Sequence, residues 1–175
     1  MHIKGRAWTF GRNVNTDLIY PKTWFRPTYE PGEMASHLMV GVDEDFPNKV
    51  KRGDVIVGGQ NFGCGSSREE AAAAMKEAGI GAVVAPSFGR LFLRNCINVG
   101  MPVVTSPGID AEVTAGDQIE IDLANGKIRN LRSGYEARLP PMAPESLQLI
   151  MDGGIANYTR RVLNERRLAN KNAQG

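Results

Sequence analysis

The run Val55-Ile56-Val57, the turn Asn61-Phe62-Gly63-Cys64-Gly65-Ser66-Ser67-Arg68-Glu69-Glu70 and the alanines Ala71 to Ala74 restrict the fold more than any other part of the chain. An uninterrupted β-branched run reads as a strand buried on both faces. Consecutive alanines are the strongest intrinsic helix signal, and Gly79 supplies a helix stop. Strand, glycine turn and helix in that order belong to an α/β pattern. The expected helix runs from Glu69 to Glu77.

The turn itself carries chemistry. Gly63 and Gly65 let the backbone bend sharply and pass close to a neighbour. Ser66 with Glu69, and Ser67 with Glu70, both have capping-box spacing, so either hydroxyl suits the helix N-cap. Arg68 then falls in the first helical turn, where the dipole favours anions over cations. A cation there needs another use, which a carboxylate-binding site beside a reactive hydroxyl would supply. A purely structural serine-capped turn uses the same residues. A phosphate-binding P-loop does not fit, because no lysine follows the glycines. The dinucleotide fingerprint fails for want of a third glycine. A Cys64 nucleophile would need a basic partner, and the histidines, His2 and His37, are distant in sequence.

Length and an apolar content of 42% suit one globular domain, and a net charge of +2 is too weak to argue for a nucleic-acid partner. Arg160, Arg161, Arg166, Arg167 and Lys171 make the end of the chain locally basic, as in a solvated helix running into a polar tail. No stretch has membrane-spanning length and no secretory signal opens the chain, so a cytoplasmic location is expected. Cys64 and Cys96 lack metal-site spacing and alone cannot hold an iron–sulfur cluster.

Further elements follow from local pattern. An opening strand is expected around Gly5 to Phe10, and a loop from Tyr20 to Gly32, where Pro21, Pro27 and Pro31 oppose regular structure. A short helix is expected over Glu33 to Val40. Ala82-Val83-Val84-Ala85 and Pro102-Val103-Val104-Thr105 read as strands flanking a helix from Leu91 to Ile97. Gln118 to Asp122 alternates polar and apolar residues, and Asn125-Gly126 is the preferred dipeptide for a two-residue hairpin turn, with Ile128 on the return strand. An amphipathic helix is expected from Pro144 to Met151. The sum is a mixed sheet with flanking helices. No catalytic constellation is complete within the chain.

Together, Asn15-Thr16-Asp17, Gly63-Cys64-Gly65-Ser66-Ser67-Arg68-Glu69, Ser87-Phe88-Gly89-Arg90 with Arg94-Asn95, and Asp152-Gly153-Gly154 resemble the small subunits of the aconitase superfamily, above all the isopropylmalate isomerase type. The resemblance covers nearly the whole chain. It implies a swivelling β/β/α domain over residues 1–158, with a C-terminal hairpin, and a basic helix end and polar tail over 159–175. It also implies a larger partner subunit carrying a [4Fe-4S] cluster, no cofactor or metal on this chain, and dehydration and rehydration of a hydroxy di- or tricarboxylic acid. By the same resemblance Ser66 matches the serine that takes a proton from the carbon beside a carboxylate. Arg68 matches a carboxylate-binding arginine, with Ser67 beside it among the substrate-binding residues. Asp17 matches an aspartate that contacts the partner's catalytic histidine. Gly63 and Gly65 would bring backbone N–H groups to the Ser66 oxygen. Glu70 stands where the family often has histidine. Cys64 reads as a small side chain packed beside the turn.

The loop Pro21-Lys22-Thr23-Trp24-Phe25-Arg26-Pro27-Thr28 is where substrate choice is expected. Trp24 and Phe25 suit a branched alkyl group, and Arg26 suits a further carboxylate. Isopropylmalate is the first expectation, with homocitrate or a methyl-substituted malate as alternatives and a free-standing carboxylate- or RNA-binding module as a third.

Overall fold

The structure, a computed structural model, describes residues 1–172. Its strands are β1 (His2–Thr9), β2 (Val55–Val57), β3 (Ala82–Ala85), β4 (Val103–Thr105), β5 (Gln118–Asp122), β6 (Lys127–Asn130) and β7 (Glu136–Arg138). Its helices are α1 (Thr16–Ile19), α2 (Phe46–Lys49), α3 (Glu70–Glu77), α4 (Arg90–Val99), α5 (Ile109–Glu112), α6 (Pro144–Met151) and α7 (Ile155–Asn172). The strands form one seven-stranded sheet in the order β4-β3-β2-β1-β5-β6-β7. From β1 to β4 the pairing is parallel, while β5 runs antiparallel to β1 and begins an antiparallel meander through β6 and β7.

Successive residues of the parallel strands feed opposite faces, as a period of two demands. Ile56 and Val83 join Phe46, Phe62, Met75 and Phe92 in one core, beneath α3 and α4. Val55, Val57, Ala82 and Val84 join Ile109, Ile119, Ile121 and Ile128 in a second. Val104 on β4 and Ile128 on β6 share that second core although several strands separate them in the sheet. The sheet therefore curls around it.

Several elements differ from expectation. The opening strand starts at His2, where its ladder with β5 begins. The Glu33–Val40 helix reduces to a 3-10 turn at Ala35–His37, and Met39 leaves helical geometry at φ +60°. The hairpin after β5 is not a two-residue turn. Asp122 pairs with Lys127, leaving residues 123–126 as the loop. The Asp122 carboxylate accepts the N–H groups of Ala124 and Asn125 at 3.0 and 3.1 Å, and this Asx-type turn replaces the type I′ geometry. β7 extends the hairpin into a three-stranded meander. Among the described residues no helix is long and apolar enough to cross a membrane.

Candidate active site at the ends of the parallel strands

The loops leaving the C-terminal ends of β1, β2 and β3 are stitched together by backbone hydrogen bonds. Asn13 N donates to Gln60 O at 2.8 Å, Gly63 N to Val14 O at 2.7 Å and Thr16 N to Cys64 O at 2.9 Å. Phe62 N donates to Ser87 O at 3.0 Å, and Gly89 N returns the bond to Phe62 O at 2.8 Å. The approach is close enough that a Cβ on Gly89 would lie 2.4 Å from Gly63 O, so only glycine fits. Gly63 and Gly65 adopt φ of +71° and +99°, the turn chemistry their positions implied. The junction lies outside the carboxyl ends of the parallel strands, where ligands of open α/β sheets bind.

Within this junction the Ser-Ser-Arg segment departs from the expected helix start. α3 begins at Glu70 with Glu69 as N-cap, and no side chain caps it. Neither capping box forms: a tertiary partner takes the Ser66 hydroxyl, and the Ser67 hydroxyl caps nothing. Ser66 Oγ lies 2.9 Å from the hydroxyl of Thr16, which is 1% exposed. Ser67 O accepts the side-chain N–H of Asn95 on α4 at 2.8 Å. Arg68 consequently precedes the helix rather than sitting in its first turn. Nor does the Gly63 N–H face the Ser66 oxygen, since Val14 O takes it. The polar neighbour of that oxygen is Thr16.

Arg68 is the most enclosed charge of the group. Its guanidinium ion-pairs through Nη2 with Asp17 and stacks over the Phe25 ring at 5.1 Å. Its side chain is 14% exposed against 47% for Asp17. The other terminal nitrogen, Nη1, is buried without a hydrogen-bond partner. A charged donor in that condition is costly, and an incoming carboxylate would satisfy it.

The Trp24–Arg26 loop reaches the junction through Phe25, not through Arg26. Arg26 is exposed, and its Nη1 donates to Thr23 O and Phe25 O, carbonyls of its own loop. Trp24 stacks face to face on His37, with ring centroids 3.6 Å apart and planes 9° from parallel, and burial lowers the His37 pKa. Cys64 is half-buried with Sγ 3.6 Å from Asn13 O, whereas burial in α4 pushes the Cys96 thiol up and leaves it inert. Glu70 stands in the first turn of α3, the favourable end for an acid. A cavity of about 480 Å³ opens elsewhere, lined by Leu93, Ile97, Val104, Leu139, Met142 and Leu147, and none of the expected site residues borders it.

The structure thus gathers Asp17, Gly63, Gly65, Ser66, Ser67 and Arg68, leaves Arg26 turned onto its own loop, and adds Thr16, Asn95 and Phe25 as direct supports. Thr16 and Asn95 stand inside the short motifs Asn15-Thr16-Asp17 and Arg94-Asn95. Nothing local gives either a role, because each acts on a residue far away in sequence.

A curled mixed sheet with a polar junction at its parallel strand ends defines an α/β class rather than one protein. The sequence profile of the aconitase C-terminal domain matches residues 12–107, and the chain belongs to that family. It is 48% identical to the methanogen homoaconitase small subunit of Methanothermobacter thermautotrophicus, over 89% of each chain. It is 45% identical to the 3-isopropylmalate dehydratase small subunit of Thermodesulfovibrio yellowstonii, over 93% of this chain and 96% of that one. The crystal structure of 3-isopropylmalate dehydratase from Methanocaldococcus jannaschii superposes with a TM-score of 0.87 at 44% identity and full coverage of both chains.

Proposed function

We propose that the chain is the small subunit of a cytoplasmic hydro-lyase that interconverts 2-isopropylmalate and 3-isopropylmalate by dehydration and rehydration, with a large subunit as its obligate partner. The observation that carries this reading is the buried, unpartnered Nη1 of Arg68 in the same short segment as the Ser66 hydroxyl. In the proposed reaction Arg68 binds a substrate carboxylate, and negative charge grows on that carboxylate as Ser66 Oγ removes a proton from the adjacent carbon. Asp17 orients Arg68 through their ion pair and offers its exposed half to the partner. Ser67 and Gly65 complete the substrate-facing rim.

Among the described residues no group of three His, Cys, Asp or Glu side chains converges as a metal-ligand set. With Cys64 and Cys96 as its two thiols, the donor set among the described residues does not fit a [4Fe-4S] cluster, which the reading assigns to the large subunit, and no step here is routed through it. Homoaconitase activity is the second reading, favoured by the 48% identity to a homoaconitase small subunit.

Co-expression with the large subunit, followed by assays on isopropylmalate, homocitrate and citraconate, tests the proposal. Turnover of isopropylmalate by the complex, with none by either chain alone, is expected. Preference for homocitrate would transfer the assignment to homoaconitase. Failure to bind a large subunit would remove the subunit reading altogether.

A further inference from the structure

We infer that Thr16 is a positioning residue for the Ser66 base, holding its oxygen in place and following its proton. The inference rests on the functional reading above and adds a residue to it.

Thr16 is 1% exposed and opens α1, where Asn15 caps the helix by accepting the Leu18 N–H at 2.9 Å. Its backbone N–H is committed to Cys64 O and its carbonyl accepts the Tyr20 N–H, so the main chain fixes where the side chain points. The hydroxyl has two polar neighbours, both from one residue: Ser66 Oγ at 2.9 Å and Ser66 O at 3.4 Å. Either hydroxyl can donate in the Oγ···Oγ bond.

That pair of acceptors gives the threonine proton two settings, since a hydroxyl hydrogen rotates to suit its surroundings. When Ser66 is deprotonated, Thr16 donates to the Ser66 oxygen, and a bond to a charged acceptor is the strong kind. When Ser66 Oγ has taken the proton from the substrate carbon, the new O–H donates to Thr16 Oγ1 and the threonine hydrogen turns to Ser66 O. One C–H bond breaks and one O–H bond forms, and the C–H electron pair becomes a carbon–carbon double bond as the C–O bond on the neighbouring carbon breaks and hydroxide leaves. Rehydration adds hydroxide to the carbon that lost the proton and a proton to the carbon that lost hydroxide, so the isomerisation is balanced.

Removal of the hydroxyl at constant shape separates this role from packing. In the complex with the large subunit, Thr16→Val should lower kcat by about 10- to 100-fold with KM changed far less, the scale of a charge-assisted hydrogen bond. The acidic limb of the kcat–pH profile should move up by about one pH unit, because an unsupported oxyanion is a stronger base. Thr16→Ser, which keeps the hydroxyl, should restore kcat to within about threefold and return the profile. Should valine disturb the loop, Thr16→Ala against Thr16→Ser reads the same contrast. Ser66→Ala is the companion measurement. If Ser66→Ala abolishes turnover while Thr16→Val keeps its kcat and its pH profile, the inference is overturned and the functional reading stands. A fully active Ser66→Ala complex would overturn both.

Discussion

Ser66 and Ser67 are adjacent residues with different surroundings, and substitution should separate them. Ser66 faces Thr16, and Ser66→Ala should cut turnover of the complex by at least ~10²-fold without loss of folding, read by steady-state kinetics beside a thermal melt. Ser67 caps nothing, since the N-cap of α3 is Glu69 and the contact to Asn95 runs through the backbone. Ser67→Ala should therefore shift stability by no more than ~0.5 kcal/mol. At Arg68 a lysine keeps charge but loses the planar fork that reaches Asp17 through one nitrogen and leaves the other for a carboxylate. Both KM and kcat should worsen in Arg68→Lys, and near-wild-type kinetics would remove Arg68 from the site. Arg26 is tied to its own loop carbonyls. If it swings to read a further carboxylate when the complex closes, Arg26→Val should depress turnover of homocitrate and spare isopropylmalate. An unchanged ratio at unchanged rates would exclude it.

At the scale of elements, two polar clusters tie loops to the sheet and helices. The Lys76 ammonium on α3 bonds both Val99 O, at the end of α4, and Gly153 O in the Asp152-Gly153-Gly154 turn. Burial lowers its pKa. Lys76→Met should cost about 1–2 kcal/mol in urea denaturation, since two helix-end carbonyls lose their donor. The Asp117 carboxylate accepts from Arg132, from Asn130 Nδ2 at 2.7 Å and from Thr114 N at 2.9 Å. Chiefly the Arg132 bond holds its pKa well below the usual carboxylate range. A depressed folded-state pKa gives stability that is fully present above the unfolded value of about 4 and fades as pH falls toward the folded one. Asp117→Asn should lower stability near neutral pH by about 1–3 kcal/mol and flatten the acid limb below about pH 4. Pattern alone located most of the framework: α3, α4, α6 and strands β2 to β4 all announce themselves through apolar period, alanine content or a glycine stop. α5, β7 and the loop over residues 123–126 did not, because a single turn or an edge strand is specified by partners distant in the chain.

For the whole molecule, the functional reading predicts that the purified chain is colourless, folded and without hydro-lyase activity, and that activity arises on addition of the large subunit. Turnover by the isolated chain in metal-free buffer would contradict it. What the sequence by itself determined is the strand–turn–helix framework and the glycine turn within it. Each piece of it depends on a short run of residues, on which glycine, alanine and β-branched side chains impose their conformations locally. Only the tertiary structure decided what that turn does with its side chains. Local rules assigned the serines to a helix cap and Arg68 to a helix end. Folding instead brings Thr16 to the Ser66 hydroxyl, Asn95 to the backbone carbonyl of Ser67 and Asp17 to Arg68. A buried polar group takes whichever partner satisfies it best, and contacts between distant loops outcompete an N-cap worth only about 1 kcal/mol.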